Sequence, residues 1–500
     1  MKVLMVCSEF APLAKTGGLA DAVTGLSRAL AERGHDVRVL LPRYSRLPAP
    51  SGRPLRAPGG DYSFIEAGSV EAGSVEAGSV EAGVAAAATR PRRRASSAPR
   101  VYAVDLGDLG SEGIYSGDQS DAGRFLKLSL AVEPLCAALG WKPDVVHCHD
   151  WHAALVPVAL KTRVKPPPTV LTLHNIGYQG IFDADVLELY GAAALRPALA
   201  PDALAGDAVN FLRAGLRAAD VVTTVSPTYA KEILTPAYGM GLEGLLSERD
   251  DDVVGILNGV DYDTWGPRVD PFIDAHYDVD RLAPKYRLKE ALSLRLGLVP
   301  GQNAPLVGVV SRIVPQKGID LVAAALPTLL LETRANFVFL GNGDASTVAE
   351  LRRIAAEQPQ RVSFTDAYDE PLAHQIFGGS DVFLVPSRYE PCGLTQMYAL
   401  RYGTIPVVRA TGGLADTITH FDPRAGTGNG SVFRDADLGG LLWGVRSAFG
   451  WFEEADVWSR LMRNAMAADF SWREQVRPYE ELYRELVSAR GRPTARRGVT

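Results

Sequence analysis

The stretch that decides the fold is LVGVVSRIVPQKGIDLVAAALPTLLL, residues 306–331. It opens with an unbroken apolar run of strand length, Leu306–Val310, and it ends with a helical pattern over Asp320–Leu331. A short loop containing polar residues, 311–318, separates the two. A fully apolar strand followed by a helix is the repeating unit of a parallel sheet that is covered on both faces.

The same alternation continues in both directions along the chain. One series of strands is predicted at Lys2–Cys7, Val37–Leu41, Val101–Val104, Val145–Cys148, Val170–Leu173 and Val221–Val225. A second is predicted at Val253–Leu257, Leu306–Val310, Phe337–Leu340, Val362–Phe364, Val382–Val385 and Ile405–Val408. Segments of helical length, such as Leu19–Arg33 and Ser346–Glu357, lie between them. Two such series predict an α/β protein with two doubly wound parallel-sheet domains.

The chain length also favours two domains, because 500 residues exceed what one hydrophobic core normally holds. An acidic run at 248–252 precedes a short strand, and we place the boundary there, so that the domains cover residues 1–250 and 251–470. An amphipathic pattern predicts a final helix at 471–488. Residues 489–500, rich in Arg, Gly and Pro, are predicted to be a disordered tail.

Residues 47–99 do not fit a globular pattern. The pentapeptide EAGSV occurs three times between Glu66 and Val80, and a truncated copy and an arginine-rich stretch follow. A repeat this short cannot bury a core and matches no solenoid period. We therefore interpret the segment as a mostly flexible surface insertion. The alternative is an arm that binds an anionic glucan or a partner.

Composition excludes several functional classes. The net charge of −6 argues against nucleic acid as the main partner, since such proteins usually present a basic face. The four cysteines are far apart and form no CxxC pair, so neither a disulfide framework nor a zinc ribbon is indicated. No apolar run reaches membrane-spanning length, and the apolar run within the first eight residues is too short for the hydrophobic region of a signal peptide. The expected compartment is the cytoplasm.

The hexapeptide TGGLAD occurs twice, at Thr16–Asp21 and at Thr411–Asp416. Each copy follows a strand and opens a helix. In the first copy, Gly17 and Gly18 would let the backbone approach an anion, and Lys15 adds a mobile ammonium. A glycine-rich helix start without a ligand is the other reading. The second copy has Ala410 in place of the lysine, so we expect it to be mainly structural.

Two further loops follow strands of the second series, where ligands of doubly wound sheets bind. The loop after Val310 carries Arg312 and Lys317. We favour binding of a diphosphate by these two cations over the alternative, an ordinary pair of surface residues. The loop 386–396, PSRYEPCGLTQ, places Glu390 shortly before a glycine that starts a helix. Its Cys392 has no base nearby in sequence, so a passive cysteine is favoured over a nucleophile.

Histidines follow two strands of the first series. The stretch HCHDWH, 147–152, suggests metal ligands, but strand alternation puts Cys148 on the face opposite His147 and His149, which disfavours a metal site. Trp151 is instead a candidate platform for a sugar ring. His174 and Asn175 are candidates to orient a sugar or to polarise a leaving group, with a satisfied core histidine as the alternative.

Taken together, these motifs resemble the bacterial glycogen synthases and plant starch synthases. The matching stretches occur in the family's order from the N-terminus to about residue 487, apart from the insertion. They are KTGGLAD at 15–21, HDWHA at 149–153, HNIGYQG at 174–180, LNGVD at 257–261, SRIVPQKG at 311–318, EPCGLTQ at 390–396 and TGGLADT at 411–417.

The resemblance implies a GT-B fold, in which two Rossmann-like domains enclose a cleft and a C-terminal helix crosses back to the first domain. It implies transfer of glucose from ADP-glucose to the non-reducing end of an α-1,4-glucan with retention of configuration, ADP-glucose being a co-substrate and no metal or other cofactor being required. Neither nucleic acid nor a membrane is an expected partner.

The resemblance also assigns roles to individual residues. The implied catalytic residues are Lys15, His174, Arg312, Lys317 and Glu390. The implied donor-binding residues are Lys15, Gly17, Gly18, Asn175, Asn258, Arg312, Lys317, Cys392, Gly393, Leu394, Thr395 and Tyr368, the last stacking on adenine. The implied sugar and acceptor residues are Asp21, Tyr115, Asp150, Trp151, His152 and Tyr178.

Two positions qualify the resemblance. Many related retaining transferases carry a second glutamate eight positions after the first, where this chain has Tyr398, as glycogen synthases usually do. The stretch before Tyr115, from Asp105, lacks the arginine of the family's loop. With no second carboxylate in a matching motif, we expect a front-face transfer rather than a glycosyl–enzyme intermediate.

Two rival functions remain at this point. One is a GT-B transferase that uses UDP-glucose or acts on sucrose, trehalose or a lipid-linked sugar. The other is a catalytically inactive glucan-binding scaffold, which predicts loss of a charged site residue. Lys15, Arg312, Lys317 and Glu390 are all present.

Overall fold

The computed structural model describes residues 1–45, 47, 54–59, 61–69, 98–109, 113–301 and 303–490. Contacts within it divide the chain into two compact units. Unit 1 comprises Met1–Thr224, Ile233–Gly259 and the chain from Trp472. Unit 2 comprises Val225–Glu232 and Val260–Ser471. The long segment of unit 2 thus begins at Val260, not at residue 251 as predicted.

Unit 1 is built on a sheet with the strand order β12-β11-β7-β6-β1-β2-β5-β4-β3. Its strands are β1 Lys2–Val6, β2 Asp36–Pro42, β3 Leu55–Arg56, β4 Ser63–Ser69, β5 Arg100–Val104, β6 Val145–His149, β7 Thr169–Leu173, β11 Val221–Thr224 and β12 Val253–Gly255. All adjacent pairs are parallel except β5 with β4 and β4 with β3. β8 Ile181–Asp183, β9 Leu204–Ala205 and β10 Ala208–Asn210 form a small antiparallel sheet.

The antiparallel edge of this sheet corrects one expectation. Leu55–Arg56 and Ser63–Ser69 fall inside the predicted insertion 47–99, yet they are strands of the sheet, and Phe64 is fully buried. β4 pairs with β5 up to Ser69 opposite Arg100. Most of the EAGSV repeat lies outside the described residues. A second correction concerns Val253–Gly255, which pairs with β11 and so belongs to the first sheet rather than to the second series.

Helices flank the sheets in both units. Up to β12 they are α1 Gly18–Glu32, α2 Gln119–Leu130, α3 Val132–Ala138, α4 Leu155–Lys161, α5 Val186–Leu189, α6 Phe211–Ala218, α7 Pro227–Glu232 and α8 Glu243–Ser247. α1 buries a face of alanine, valine and leucine, including Val23 and Leu30, against the core that contains β1 and β2. This burial, rather than helix propensity, is the main stabilising contribution.

Unit 2 contains a parallel sheet in the order β15-β14-β13-β16-β17-β18. Its strands are β13 Leu306–Val310, β14 Asn336–Leu340, β15 Val362–Thr365, β16 Val382–Val385, β17 Ile405–Arg409 and β18 Ser431–Phe433. The helices are α9 Ala283–Arg295, α10 Ile319–Glu332, α11 Ala345–Glu357, α12 Glu370–Gly379, α13 Thr395–Arg401, α14 Gly412–Thr417, α15 Leu438–Phe452 and α16 Ala455–Ala467. The predicted strands from Leu306 onward agree with β13 to β17 within one residue at each end.

The last helix, α17 Trp472–Arg490, packs within unit 1. Glu480 accepts a hydrogen bond from Arg33 at 2.7 Å and makes a second with His35 at 2.7 Å. These hydrogen bonds, that from Arg33 above all, lower the pKa of this carboxyl to about 2. The Tyr483 hydroxyl lies 2.6 Å from Nδ1 of His147 on β6. The predicted tail, 489–500, lies outside the described residues from 491 on.

Candidate active site

In unit 2, two loops at the carboxyl ends of β13 and β16 meet because Gly318 has no side chain. Gly318 adopts a left-handed φ of 67°, and a Cβ there would lie 2.3 Å from the carbonyl oxygen of Pro386. This approach brings Nζ of Lys317 within 2.6 Å of Oε2 of Glu390. Ser387 donates a second hydrogen bond to the same oxygen at 2.8 Å. The predicted residues Lys317 and Glu390 thus form one ion pair.

Glu390 is 5% exposed. Both hydrogen bonds to its side chain end on Oε2, and within the described residues none ends on Oε1. Carboxylate oxygens each accept more than one hydrogen bond, so Oε1 retains its capacity to face a ligand. A buried carboxylate with one occupied and one available oxygen suits the stabilisation of positive charge on a substrate.

A cavity of about 160 Å³ lies beside this pair. Arg312, Lys317 and Thr395 line it, together with Val310 and Val385, which end β13 and β16. A cavity at the carboxyl ends of parallel strands is where ligands bind in doubly wound sheets. With two cations at its wall, it suits an anionic ligand.

The loop before α13 is held by backbone contacts that only glycine permits. Gly393 has a left-handed φ of 72°, and Gln396 donates to the carbonyls of Cys392 and Gly393 at 3.0 and 2.9 Å. A Cβ on Gly413 would lie 2.1 Å from the Cys392 carbonyl oxygen. Cys392 is 5% exposed, and Leu394 lies directly before the first helical residue, Thr395. The second TGGLAD copy therefore supports this loop.

In unit 1, the first TGGLAD copy is held by Glu9, a residue that the sequence analysis did not select. The Glu9 carboxylate accepts hydrogen bonds from the N–H of Thr16 at 2.7 Å, from its hydroxyl at 2.8 Å and from the N–H of Gly17 at 3.0 Å. Glu9 thus already occupies the N–H groups of Thr16 and Gly17, which directly precede the first helical residue, Gly18. Lys15 pairs with Asp21 at 2.9 Å.

Glu232 holds the second copy in the same way. Its Oε1 accepts from the hydroxyl of Thr411 at 2.9 Å and from the N–H of Gly412 at 3.0 Å. Asp416 of the same copy accepts from the N–H and hydroxyl of Thr228 at 2.8 and 2.6 Å. In both copies, the side chain of a glutamate thus accepts hydrogen bonds from the threonine and the first glycine. The second copy also holds the start of α7 in place through Asp416.

Asp150 shapes the loop that carries His174 and Asn175. Its backbone has a φ of 55° and a ψ of −172°, a combination that residues other than glycine rarely adopt. Its carboxylate accepts a hydrogen bond from the N–H of His174 at 2.7 Å. Burial raises the pKa of Asp150 to about 7 and lowers that of His174 to about 3, so His174 is neutral at physiological pH.

The proton of His174 can be placed from its neighbour His149. Nδ1 of His149 lies 3.1 Å from Nε2 of His174, and Nε2 of His149 is buried without a hydrogen-bond partner among the described residues. A buried N–H without an acceptor costs more than a bare lone pair. His149 therefore carries its proton on Nδ1 and donates to His174. This leaves the proton of His174 on Nδ1, where it can be donated to a ligand.

Trp151 does not present the open ring face that the sequence analysis expects of a sugar platform. It is 8% exposed and packs in an aromatic cluster with Phe125, Phe182 and Phe211, at centroid distances of 5.0, 5.5 and 6.5 Å. A Cβ on Gly180 would lie 2.3 Å from its ring. Trp151 is thus a core residue beneath the loop that ends at Gly180.

Tyr115 is tied to Glu9 and to His152. Its hydroxyl donates to Oε1 of Glu9 at 2.6 Å, and its ring stacks on His152 at 5.0 Å. Glu9 thereby links the Tyr115 side chain to the Lys15 loop. A carboxylate three residues after the first strand was visible in the sequence, but its partners follow only from the folded chain.

The other predicted residues differ in their exposure to solvent. Tyr178 and Tyr368 are 57% and 75% exposed, and Arg312 is exposed as well. Asn258 is buried, Asn175 is partly exposed and Gly18 is exposed. Tyr398 is 6% exposed and stacks on Trp265 with centroids 4.1 Å apart, which explains an aromatic residue where related transferases carry a glutamate.

Two further observations concern the described part of the chain. It contains no group of three or more His, Cys, Asp or Glu side chains arranged to hold a metal ion. None of its helices has both the length and the apolar character needed to cross a bilayer.

Comparisons with known proteins identify the family. The starch synthase catalytic domain family matches residues 2–248, and glycosyl transferases group 1 matches residues 297–448. A glycogen synthase of Acidiphilium cryptum is 43% identical, with 98% of this chain and 100% of that protein covered. Glycogen synthase 2 of Geobacter metallireducens is 39% identical, with the same two shares.

Solved structures agree on the fold. The catalytic domain of starch synthase IV from Arabidopsis thaliana, bound to ADP and acarbose, is 33% identical, with a TM-score of 0.84 over 97% of this chain and 99% of that one. Sucrose-phosphate synthase from Thermosynechococcus elongatus, 20% identical over 98% of this chain and 99% of that one, has a TM-score of 0.61 and shares the fold. The predicted GT-B fold is confirmed. The chain belongs to the glycogen synthase and starch synthase family and is a glucosyltransferase that transfers glucose to a glucan.

Proposed function

We propose that this chain transfers glucose from ADP-glucose to the non-reducing end of an α-1,4-glucan with retention of configuration. The Lys317–Glu390 ion pair at the wall of the unit 2 cavity is the observation that carries the proposal. ADP and acarbose bound to the Arabidopsis starch synthase support a nucleotide donor and a glucan-like acceptor.

The cavity offers the charges that this reaction needs. Glucosyl transfer builds negative charge on the departing diphosphate and positive charge on the sugar ring. Arg312 and Lys317 neutralise the diphosphate, and Glu390 stabilises the sugar cation through Oε1. Because two cations are available for the leaving group, the reaction requires no divalent metal or other cofactor.

Residues of unit 1 act on the sugars. Lys15 binds the donor phosphates or glucose, as the resemblance implies, while Asp21 keeps the ammonium in place before the donor arrives. His174, neutral and protonated on Nδ1, donates to a glucose hydroxyl. Tyr368 of unit 2 has an exposed ring on which adenine stacks.

The configuration is retained because the acceptor hydroxyl attacks the anomeric carbon on the same face of the glucose ring from which the diphosphate leaves. The bond between the anomeric carbon of glucose and the phosphate oxygen breaks as the acceptor oxygen bonds to the same carbon. The acceptor hydroxyl gives its proton to the departing phosphate oxygen, and ADP leaves intact. Glu390 stays unmodified throughout, so a covalent glucosyl adduct on Glu390 would contradict this route.

The test is incorporation of labelled glucose into glycogen from ADP-glucose and, separately, from UDP-glucose, with and without EDTA. We expect transfer from ADP-glucose that EDTA does not affect. Glu390→Gln keeps the shape of the side chain and removes its charge, and a loss of roughly 10²–10³-fold in kcat is expected. Lys15→Ala should also lose activity, whereas Lys161→Ala, an exposed lysine on α4 of the same unit, should not.

Two outcomes would contradict the proposal. A higher kcat/KM with UDP-glucose would show that the donor is different. Full activity of Glu390→Gln would remove the carboxylate from the reaction.

A further inference from the structure

Trp443 differs from every other tryptophan in the chain. All seven lie in the described residues; six are at most 9% exposed, and Trp443 on α15 is 51% exposed. A half-exposed indole leaves a large apolar surface in water, and burying it against a ligand is favourable.

The ring next to Trp443 is fixed in place. His420 stacks on Trp443 with an interplanar angle of 20° and a centroid distance of 5.2 Å. It also makes an edge-to-face contact with the buried Trp451, with the centroids again 5.2 Å apart. Nδ1 of His420 accepts a hydrogen bond from the N–H of Val432 at 3.1 Å. Because Nδ1 is the acceptor, the neutral ring carries its proton on Nε2.

This pair is remote from the unit 2 cavity. His420 pairs with Gly430, the residue before β18, and so lies at the amino end of that parallel strand. The cavity lies at the carboxyl ends of β13 and β16. The two sites therefore occupy opposite ends of the same sheet, and a ligand at Trp443 leaves the cavity open.

We propose that Trp443 and His420 form a second carbohydrate site, which binds an internal stretch of α-glucan chain. The inference rests on the glucan acceptor of the proposed function. A glucose ring has an apolar C–H face, which suits the indole, and its rim of hydroxyls can accept from Nε1–H of Trp443 and Nε2–H of His420. Burial lowers the pKa of His420, so the ring is uncharged where a neutral sugar binds.

The polymeric substrate gives this site its effect. Glycogen presents many chain segments, and a segment bound at Trp443 raises the effective concentration of neighbouring chain ends for the enzyme. A short acceptor such as maltotriose gains nothing from the second site. The site should therefore lower KM for glycogen without changing KM for maltotriose.

The experiment compares Trp443→Ala and His420→Asn with the wild-type enzyme. Asparagine retains an acceptor for the Val432 N–H and removes the ring. Tyr286→Ala is the matched control, since Tyr286 is an exposed aromatic residue on α9 of the same unit, 47% exposed. Retardation in native gels that contain glycogen measures binding, and ADP-glucose assays give KM and kcat for glycogen and for maltotriose.

We expect Trp443→Ala to raise KM for glycogen roughly threefold to tenfold, as expected from the loss of one aromatic stacking contact, and to weaken gel retardation. His420→Asn should act in the same direction, and Tyr286→Ala should behave as wild type. Unchanged kcat and KM for maltotriose establish that the variants fold.

The inference is overturned if Trp443→Ala binds glycogen as tightly as wild type. It is also overturned if the substitution dissolves an oligomer without changing glycogen affinity, which would make Trp443 a contact between copies of the chain. If the wild-type protein transfers no glucose at all and yet needs Trp443 to bind glycogen, the proposed function fails while the second site stands.

Discussion

At the scale of single residues, hydrogen bonds made by buried groups orient the side chains of the candidate site. His149 is the clearest case, because its unpartnered Nε2 determines which of two histidines donates. Glu9 is another, since one carboxylate holds the Thr16 loop and the Tyr115 hydroxyl together. Both residues act on the orientation of neighbouring side chains.

His149 can be tested with two substitutions. His149→Leu removes the hydrogen-bond donor to His174, so that His174 no longer favours the tautomer with the proton on Nδ1. We expect kcat to fall roughly tenfold, which corresponds to the loss of one hydrogen bond. His149→Asn puts an amide N–H near the position of Nδ1 and should retain most of the activity. Nitrogen-15 NMR of the imidazoles reports the tautomer of His174 directly. Equal losses of activity in both variants, with the tautomer unchanged, would show a packing role only.

Residues of this kind also mark where sequence reasoning ends. Arg312, Lys317 and Glu390 are predictable because they follow strands, and in the structure Arg312 and Lys317 line one cavity with Glu390 beside them. Glu9 contacts Tyr115, 106 residues away, and Glu232 contacts Thr411, 179 residues away, and no local sequence pattern reports such contacts. The prediction of Trp151 as a sugar platform is wrong because it rests on polar neighbours in sequence, whereas the neighbours in space are aromatic.

At the scale of elements, α17 shows how a helix is predicted but its contacts are not. The amphipathic pattern predicted residues 471–488, and the helix spans Trp472–Arg490. The pattern does not reveal that Trp472 lies against Gly25 of α1 and against Gly259. A Cβ on Gly25 would lie 1.8 Å from Nε1 of Trp472, and one on Gly259 would lie 2.6 Å from its ring.

Gly25→Ala separates helix propensity from packing. Alanine in a helix interior is favoured over glycine by about 1 kcal/mol. Overpacking of a buried contact costs about 1–3 kcal/mol, and here the neighbour is a large ring with little room to move. We expect packing to dominate, so that the variant has a lower Tm. Gly244→Ala on α8 is the control, since a Cβ there meets nothing within 4 Å. A Tm for Gly25→Ala at or above that of wild type would contradict the contact.

At the scale of the whole molecule, most of the EAGSV repeat lies in the sequence between two paired antiparallel strands, β4 and β5. The strand series predicted both sheets, because continuous apolar runs are typical of buried parallel strands. β4 was missed because it overlaps the first EAGSV copy and reads SFIEAGS, with only two large apolar residues. Tertiary pairing with β5 overrides this weak pattern, and Phe64 and Ile65 are 0% and 7% exposed.

The register of this hairpin makes the contribution of the repeat testable. Ser69 lies opposite Arg100, so a short turn can join the strands. In one variant, Asn-Gly replaces residues 70–97 and leaves β4 intact. In the other, residues 61–98 are deleted and β4 is lost. We expect the first to keep the wild-type Tm and activity on maltotriose. The second loses the burial of Phe64 and Ile65 and should be destabilised by about 3–5 kcal/mol or more.

Thermal unfolding and the ADP-glucose assay on both acceptors distinguish the possibilities. Equal Tm values for the two variants would mean that β4 contributes nothing to stability, against its pairing and burial. A first variant that folds normally, extends maltotriose normally and loses activity on glycogen alone would favour the glucan-binding arm over a passive insertion. Because the Asn-Gly variant keeps both strand ends in register, that loss would belong to residues 70–97 themselves.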